Sequence, residues 1–479
     1  NAHRLAGGVH VHHAVLRRPW HPRRQRHGST KSASKPCSSC RSSATRRHMA
    51  RISSVGVSRS GTITGIIPAA NAARMPFSRR KFLATTALGA AAATGSLAMP
   101  SILRAQGAGV KVGILHPVSG ALSYSGQQGR LGATMAIEEI NAAGGIKGLG
   151  KIDAILGDAQ STPEGGTAEV EKMNSAGVAA IVGGYASNIC LATTQAAARY
   201  DLPYIVDVGV TDAIVSRGLK NTFRFGPGFG VIAKTALANL VAINDKAGKP
   251  AKTVMIVHED SAFGSGLAKL LNAQLPPQGF QVLDTIAHPT PTRDFNNVVL
   301  KIKAAAPDIV IPANYYNEYV LLARTMQQQK VRPKAAIYSV LGGAASSYKF
   351  VKEFPEAAQY IMDCNHWFDP RNSKAQALKK KVEAKGQFFT YEVYLNYSCV
   401  GLLADALGRA KSADRAKVID ALASSTWSGH VMPYGPTKFV NGQNQGAAPA
   451  NTQVQGKDIQ VILPEAFASA KPVYPLPKV

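Results

Sequence analysis

Two hydroxyl- and glycine-rich loops are the segments of this sequence best suited to bind a small molecule. The segments IVGGYASN (residues 181–188) and VDVGVTD (residues 206–212) each continue a short run of β-branched residues. Together they offer the hydroxyl groups of Ser187 and Thr211 as well as backbone N–H groups. Neutral donors of this kind suit a carboxylate that is bound without a buried arginine. Either hydroxyl alone could simply cap the helix that follows it, so the prediction of a carboxylate site depends on the two loops meeting.

A third loop, HPVSGALSY (residues 116–124), follows the first predicted strand and leads into a helix. Because the N-terminus of a helix attracts anions, this loop could contribute to the same site, although many such loops only cap their helix. Its last residue, Tyr124, is a candidate for an apolar wall of the site.

Residues 106–479 lack the patterns that carry enzymatic chemistry. Their five histidines show no metal-ligand spacing, and no nucleophile elbow or phosphate-binding glycine loop follows a predicted strand. Cys37 and Cys40 are spaced like half a zinc site, but a structural zinc ion needs four ligands and no second pair follows. The other three cysteines are expected to be buried thiols, with a disulfide between Cys364 and Cys399 as the alternative. The sequence therefore predicts no catalytic residue, no metal and no cofactor.

The large positive charge is concentrated at the start of the chain. The whole sequence has a net charge of +27, but 18 of its 55 Lys and Arg residues lie in residues 1–105, where no Asp or Glu occurs. Residues 106–479 hold the other 37 basic residues and all 28 acidic ones, a net charge of +9. The body of the protein is therefore only moderately basic, and we expect no nucleic-acid partner.

The first hundred residues have the character of a leader. Residues 1–74 are rich in Arg, His and Ser without apolar periodicity, so we expect them to be disordered and to precede a natural start at Met75. Residues 75–105 combine a basic start, an apolar run and a small-residue end, as export signals do. The segment SRRKFL (residues 78–83) resembles the twin-arginine export motif. We expect cleavage after Ala105 and a periplasmic location in a bacterium, with an uncleaved membrane anchor as the alternative.

Beyond the leader, short apolar runs alternate with amphipathic segments in two successive blocks. The first block predicts strands at residues 110–115, 152–156, 179–182 and 203–206, with helices between them. The second block of alternating helices and strands begins with a helix predicted over residues 229–246. Such alternation is typical of parallel sheets that are covered by helices on both faces. The sequence therefore predicts an α/β protein with two Rossmann-like lobes.

Two ordered segments carry a resemblance to a known family. One is VGILHPVSG (residues 112–120), followed by INAAGGI (residues 140–146); the other is VHEDSAFGSG (residues 257–266). They resemble the first βα unit and a second-lobe strand, loop and helix of the periplasmic leucine/isoleucine/valine-binding proteins, which are solute receptors of ABC importers. The resemblance covers residues 109–479. It implies a type I periplasmic binding protein fold, in which two lobes with parallel sheets are joined by three crossovers and close on a ligand.

The resemblance also implies how the chain is divided between the lobes. Lobe 1 is expected to comprise residues 109–228 and 364–430. Lobe 2 is expected to comprise residues 229–363 and 431–479.

Individual residues acquire expected roles from the same resemblance. In lobe 1, Ser187 falls where a serine holds the ligand carboxylate, and Gly209 and Thr211 fall where a backbone group and a threonine do the same. Asn188, next to Ser187, and Tyr124 complete the candidate set of this lobe.

The candidates in lobe 2 are apolar. Tyr315 falls where an aromatic residue covers the bound ligand, and Phe263 falls at a similar aromatic position that lines the cleft. Amino-acid binders of the family place an acid after the next strand to pair with the ligand ammonium, whereas this sequence has Leu341 there. A buried ammonium group without a carboxylate partner is costly, so an aromatic carboxylate competes with an amino acid as the expected ligand. Three acids elsewhere could supply the missing charge: Asp207, Asp212 and Glu318.

These observations predict a monomeric solute-binding protein that captures a small carboxylate and delivers it to a membrane permease of the ABC type. Two alternatives belong to other classes. A ligand-sensing subunit that responds to amides or amino acids would share the fold. An amidase or another hydrolase would need a nucleophile and a base, and the sequence shows no such pair.

Overall fold

The computed structural model describes residues 109–477, and these residues form two α/β lobes. The strands are β1 (Val110–His116), β2 (Ile152–Asp158), β3 (Ala180–Gly183), β4 (Tyr204–Val206), β5 (Thr222–Arg224), β6 (Thr253–Glu259), β7 (Gln281–His288), β8 (Ile309–Ala313), β9 (Ala336–Val340), β10 (Met362–Asn365), β11 (Phe439–Val440), β12 (Gln443–Asn444), β13 (Ala450–Gln455) and β14 (Asp458–Leu463). The α-helices are α1 (Ser123–Ala142), α2 (Pro163–Ser175), α3 (Ser187–Ala198), α4 (Ala213–Ser216), α5 (Phe229–Lys246), α6 (Ala262–Gln274), α7 (Asn296–Ala305), α8 (Tyr316–Gln328), α9 (Tyr348–Glu353), α10 (Pro355–Ala358), α11 (Ser373–Ala384), α12 (Tyr391–Ala410) and α13 (Arg415–Ala423). The predicted leader and the Cys37–Cys40 pair lie outside the described residues.

Each lobe is built on one seven-stranded sheet. The sheet of lobe 1 has the order β11-β12-β5-β4-β3-β1-β2, and the sheet of lobe 2 has the order β14-β13-β10-β9-β8-β6-β7. The strands from β1 to β5 pair in parallel, as do those from β6 to β10, whereas β13 pairs antiparallel with both β10 and β14. Every residue of β3, β4 and β8 is buried, as expected for central strands that are covered on both faces. The prediction of two Rossmann-like lobes is confirmed.

The chain crosses between the lobes three times. It leaves lobe 1 after β5, returns after β10 to form α12, and crosses again between β12 and β13. The helix α12 belongs to lobe 1 because it packs along α1, where the Tyr397 hydroxyl donates to Glu139 Oε2 at 2.6 Å. The last crossover comes later than the predicted boundary at residue 430. The backbone N–H of Arg224 in β5 donates to the carbonyl of Gly442 at 2.7 Å, so residues 439–444 extend the sheet of lobe 1.

Local signals of the sequence explain several element ends. The helix α5 spans the predicted residues 229–246. The side chain of Thr162 accepts the N–H of Gly165 and Pro163 occupies the first turn of α2, as the sequence indicates for the start of this helix. The sequence does not predict the edge strand β7, because its four apolar residues do not alternate with polar ones and half of its residues are exposed.

The three cysteines within the described residues, Cys190, Cys364 and Cys399, are free and buried. The expectation of buried thiols therefore holds, and the alternative disulfide does not form. None of the helices that the structure describes is long and apolar enough to cross a membrane.

Candidate ligand-binding cleft

A narrow cleft lies between the two lobes, at the carboxyl ends of the strands of both sheets. Lobe 1 contributes Tyr185, Ser187, Val208, Val210 and Tyr391. Lobe 2 contributes Phe263, Asn314, Tyr315, Leu341 and Gly343, and the end of β10 with the crossover after it contributes Asn365 and His366. Most of these residues follow a strand, because loops at the carboxyl ends of parallel strands converge at one edge of a sheet. The cleft has the largely apolar lining, with a few polar groups, that is typical of a small-molecule site.

Ser187 is the hydroxyl donor on the wall of lobe 1. It is the first residue of α3, and its side chain is buried. Its Oγ accepts the backbone N–H of Thr211 at 3.2 Å, so the loops after β3 and β4 meet as predicted. A hydroxyl group that already accepts one hydrogen bond still has its own proton to donate. Ser187 can therefore donate to a carboxylate in the cleft, next to the positive end of the α3 dipole.

The other predicted residues of lobe 1 lie behind or beside this wall. Thr211 contacts Ser187 through its backbone but does not line the cleft. The N–H of Gly209 donates to the carbonyl of Gly184 at 2.9 Å and is no longer available to a ligand. Asn188 uses its Oδ1 to accept the N–H of Ile189 at 2.9 Å. The structure thus brings Ser187 and Thr211 together and places Gly209 and Asn188 away from the cleft wall.

Gly209 has a packing role that explains its type. A Cβ at this position would lie 2.5 Å from the Cys190 Sγ atom. A side chain here would force the Cys190 side chain or the backbone of the loop to shift, so glycine allows the loop after β4 to approach α3 closely.

Aromatic rings form the apolar part of the cleft and join its two sides. The rings of Phe263 and Tyr315 in lobe 2 have centroids 5.4 Å apart, and the ring of Tyr315 lies 5.6 Å from that of Tyr185 in lobe 1. Tyr124 packs against Tyr316 at 4.4 Å and lines a small space beside the cleft, not the cleft itself. Phe263 and Tyr315 therefore line the cleft, whereas Tyr124 lies beside it.

Leu341 lies in the wall of lobe 2, where amino-acid binders of the family are expected to carry an acid. Its backbone has a φ of 60°, which is uncommon for a residue with a Cβ, and its N–H donates to the carbonyl of Cys364 at 3.1 Å. Asp363 lies next to the loop that carries Leu341 but does not line the cleft. Burial raises the pKa of Asp363 to about 6, and its oxygens accept from the N–H of Gly342 at 3.0 Å and the hydroxyl of Ser346 at 2.7 Å.

The lining residues include no Asp, Glu, Lys or Arg. The three acids that could supply a charge are engaged elsewhere: Asp207 contacts His116 Nε2 at 3.2 Å, Asp212 pairs with Arg224 at 3.0 Å, and Glu318 accepts the N–H of Thr292 at 3.3 Å. Within residues 109–477, no group of three or more His, Cys, Asp or Glu residues could hold a metal ion. The cleft therefore offers hydroxyl, amide and imidazole groups, but no charged side chain.

His366 is a cleft residue that sequence reasoning missed. Its backbone N–H donates to Asn365 Oδ1 at 2.8 Å, while neither ring nitrogen has a partner among the described residues. Burial lowers the pKa of His366 to about 3, so the ring is neutral and offers one donor and one acceptor. In the sequence, His366 is recognisable only as a polar residue directly after a buried strand, and no motif distinguishes it from the other histidines.

Comparisons with known proteins agree with this architecture. A profile of the family described as periplasmic binding protein matches residues 109–457. The Leu/Ile/Val-binding protein homolog 7 of Brucella melitensis biotype 1 is 28% identical over 377 residues, which cover 75% of this chain and 93% of that protein. Homolog 8 of the same organism is 28% identical over 394 residues, which cover 79% and 96%.

Solved structures share the fold at lower identity. The branched-chain amino acid transporter substrate binding protein LivJ from Streptococcus pneumoniae, in complex with isoleucine, is 21% identical, with a TM-score of 0.63 over 77% of this chain and 100% of that one. A solute binding protein of an ABC transporter from R. palustris, in complex with benzoate, is 19% identical, with a TM-score of 0.65 over 76% and 98%. The family consists of solute-binding proteins and not of enzymes, in agreement with the prediction from the sequence. The chain belongs to the periplasmic binding protein family.

Proposed function

We propose that this protein is the extracytoplasmic receptor of an ABC importer and that it captures a small carboxylate without a positive charge, above all an aromatic carboxylate. It acts as a monomer, closes its lobes on the ligand and delivers it to the membrane permease. The carboxylate faces Ser187 in lobe 1, and the ring lies among the aromatic side chains of the cleft.

The observation that carries this proposal is the absence of any charged side chain from the residues that line the cleft. An α-amino acid would bring its ammonium group into this cleft, and a buried charge without a partner costs several kcal/mol. A carboxylate needs only neutral donors and a helix N-terminus, which Ser187 and α3 provide. An aromatic ring can in addition pack on Phe263 and Tyr315 in offset or edge-to-face arrangements.

The relatives support the class of ligand without selecting one. The curated relatives are named after leucine, isoleucine and valine, one solved neighbour holds isoleucine and another holds benzoate. All of these ligands carry a carboxylate, and only the amino acids carry an ammonium group. The neutral lining of this cleft therefore favours the ligand type that lacks the ammonium group.

Thermal unfolding of the full chain with candidate ligands tests the proposal. We expect benzoate-like acids to raise the melting temperature, since a ligand at a hundred times its Kd stabilises a protein by about 2.7 kcal/mol. We expect leucine, isoleucine and valine to give no comparable shift at equal concentration. A shift with these amino acids alone would contradict the assignment of an aromatic carboxylate.

The location outside the cytoplasm rests on residues 75–105, whose SRRKFL segment resembles the twin-arginine motif. N-terminal sequencing of the protein recovered from the periplasm of a bacterial host tests this part. A mature chain that begins at Gln106 is expected, whereas a recovered chain that retains residues 75–105 would indicate an uncleaved anchor.

A further inference from the structure

One side chain on the wall of lobe 2, that of Asn314, has a hydrogen-bond acceptor without a partner among the described residues. Asn314 directly follows β8, its side chain is fully buried, and it lines the cleft. Its Oδ1 atom has no hydrogen-bond partner among the described residues. Buried polar atoms nearly always have a partner, so an orphaned acceptor on the wall of a ligand site indicates that the ligand supplies the donor.

A neighbouring histidine determines which atom of the Asn314 amide faces the ligand. His288 Nδ1 lies 2.9 Å from the carbonyl oxygen of Pro289, which can only accept, so Nδ1 carries the proton. Burial lowers the pKa of His288, which keeps the ring neutral and leaves Nε2 as an acceptor. Asn314 Nδ2 contacts this Nε2 atom and donates to it. The amide group is thereby oriented, and Oδ1 is the atom that remains for the ligand.

The acceptor Asn314 Oδ1 restricts which group of the ligand can lie next to it. A second carboxylate oxygen cannot satisfy Oδ1, because both atoms only accept hydrogen bonds. An ammonium group could donate, but it would stand in a cleft whose lining has no acid to balance its charge. A neutral hydroxyl group satisfies Oδ1 without bringing a charge.

We propose that Asn314 recognises a hydroxyl group of the ligand, so that the protein prefers hydroxylated aromatic carboxylates to the unsubstituted acids. This inference rests on the proposed function and adds a second polar contact to it. Ser187 of lobe 1 donates to the carboxylate, and Asn314 of lobe 2 accepts from the hydroxyl group. A ligand that carries both a carboxylate and a hydroxyl group forms hydrogen bonds with both lobes and therefore favours the closed arrangement of the lobes. His288 acts as a positioning residue, because it orients the amide group of Asn314.

Matched ligands test the inference on the unmodified full chain. Isothermal titration calorimetry compares benzoate, the three positional isomers of hydroxybenzoate and the corresponding methoxybenzoates, which keep the oxygen but cannot donate. At least one hydroxybenzoate is expected to bind about tenfold or more tightly than both benzoate and its own methoxy analogue. If no isomer shows this preference, the inference is overturned.

Two variants assign the preference to its residues. In Asn314→Leu the acceptor is lost, and the ratio of the hydroxybenzoate to the benzoate affinity is expected to fall to within about threefold of one. In His288→Leu the amide is free to turn its Nδ2 group to the ligand, so the preference for hydroxy over methoxy is expected to weaken although Asn314 is present. The control is Asn272→Leu in α6, whose side chain contacts Ala268 and Thr285 away from the cleft.

The outcomes separate this inference from the proposed function. Equal binding of benzoate and all hydroxybenzoates would leave the aromatic-acid receptor in place and refute the role of Asn314. Binding of branched-chain amino acids without any aromatic acid would refute both. A preference that persists in a folded Asn314→Leu protein would refute the assignment to this residue, and if that variant does not fold, the wild-type ligand series and His288→Leu still decide.

Discussion

Replacing Ser187 by alanine is expected to lower the affinity for the carboxylate ligand by about 10- to 100-fold. A hydrogen bond to a charged group contributes about 1.5–3 kcal/mol, and Ser187 provides the only side-chain hydroxyl of a serine or threonine among the residues that line the cleft. The fold is expected to persist, because the substitution removes one oxygen atom at the start of α3 and only one internal hydrogen bond, the one that Ser187 Oγ accepts from the N–H of Thr211. Calorimetric titration of the variant with an aromatic carboxylate measures the effect.

Thr211→Val is the matched control for this prediction. Valine has the shape of threonine and keeps the backbone N–H that donates to Ser187 Oγ, so the affinity is expected to change by less than about threefold. The resemblance to the family predicts instead that both hydroxyl groups hold the carboxylate. A loss in Thr211→Val as large as that in Ser187→Ala would support this prediction and contradict the geometry of the cleft.

Leu341→Glu is expected to have the second large effect, a reversal of ligand preference. A carboxylate at this position in the wall of lobe 2 repels an anionic ligand in a cleft that has no cation to offset it, so aromatic carboxylates are expected to bind at least about 100-fold more weakly. The same group can pair with an ammonium group, and the relative affinity for branched-chain amino acids is expected to rise. Titration with benzoate and isoleucine measures both changes.

Leu341→Gln separates charge from shape in this experiment. Glutamine has nearly the size of glutamate and the same strain at the φ of 60°, but no charge. It is expected to keep most of the affinity for aromatic carboxylates. An equal loss in the glutamine and glutamate variants would show that the leucine acts through packing and that the missing acid does not decide the specificity.

The architecture could be predicted from the sequence where local patterns are strong. Buried parallel strands such as β3 and β8 are short apolar runs, and helix α5 shows a clear amphipathic period with the predicted ends. The apolar residues of the edge strand β7 do not alternate with polar ones, so its pairing with β6 depends on a neighbour that the local sequence does not reveal. β12 pairs with β5 although the two strands are more than two hundred residues apart along the chain, so the local sequence does not indicate that the last crossover comes after residue 444.

For the candidate site too, some features could be predicted from the sequence and others only from the tertiary structure. By itself, the sequence predicted the fold class, the loops at the strand ends and the meeting of Ser187 with Thr211, because these follow from residue types and from the order of parallel strands. That Leu341 stands in place of an acid follows only from the resemblance to the family. Only the tertiary structure decided which groups remain free for a ligand. The N–H of Gly209 is used by Gly184, whereas the nitrogens of His366 are left without partners. Hydrogen-bond partners come from distant segments, so the polar groups of the cleft become known only when the lobes are folded against each other.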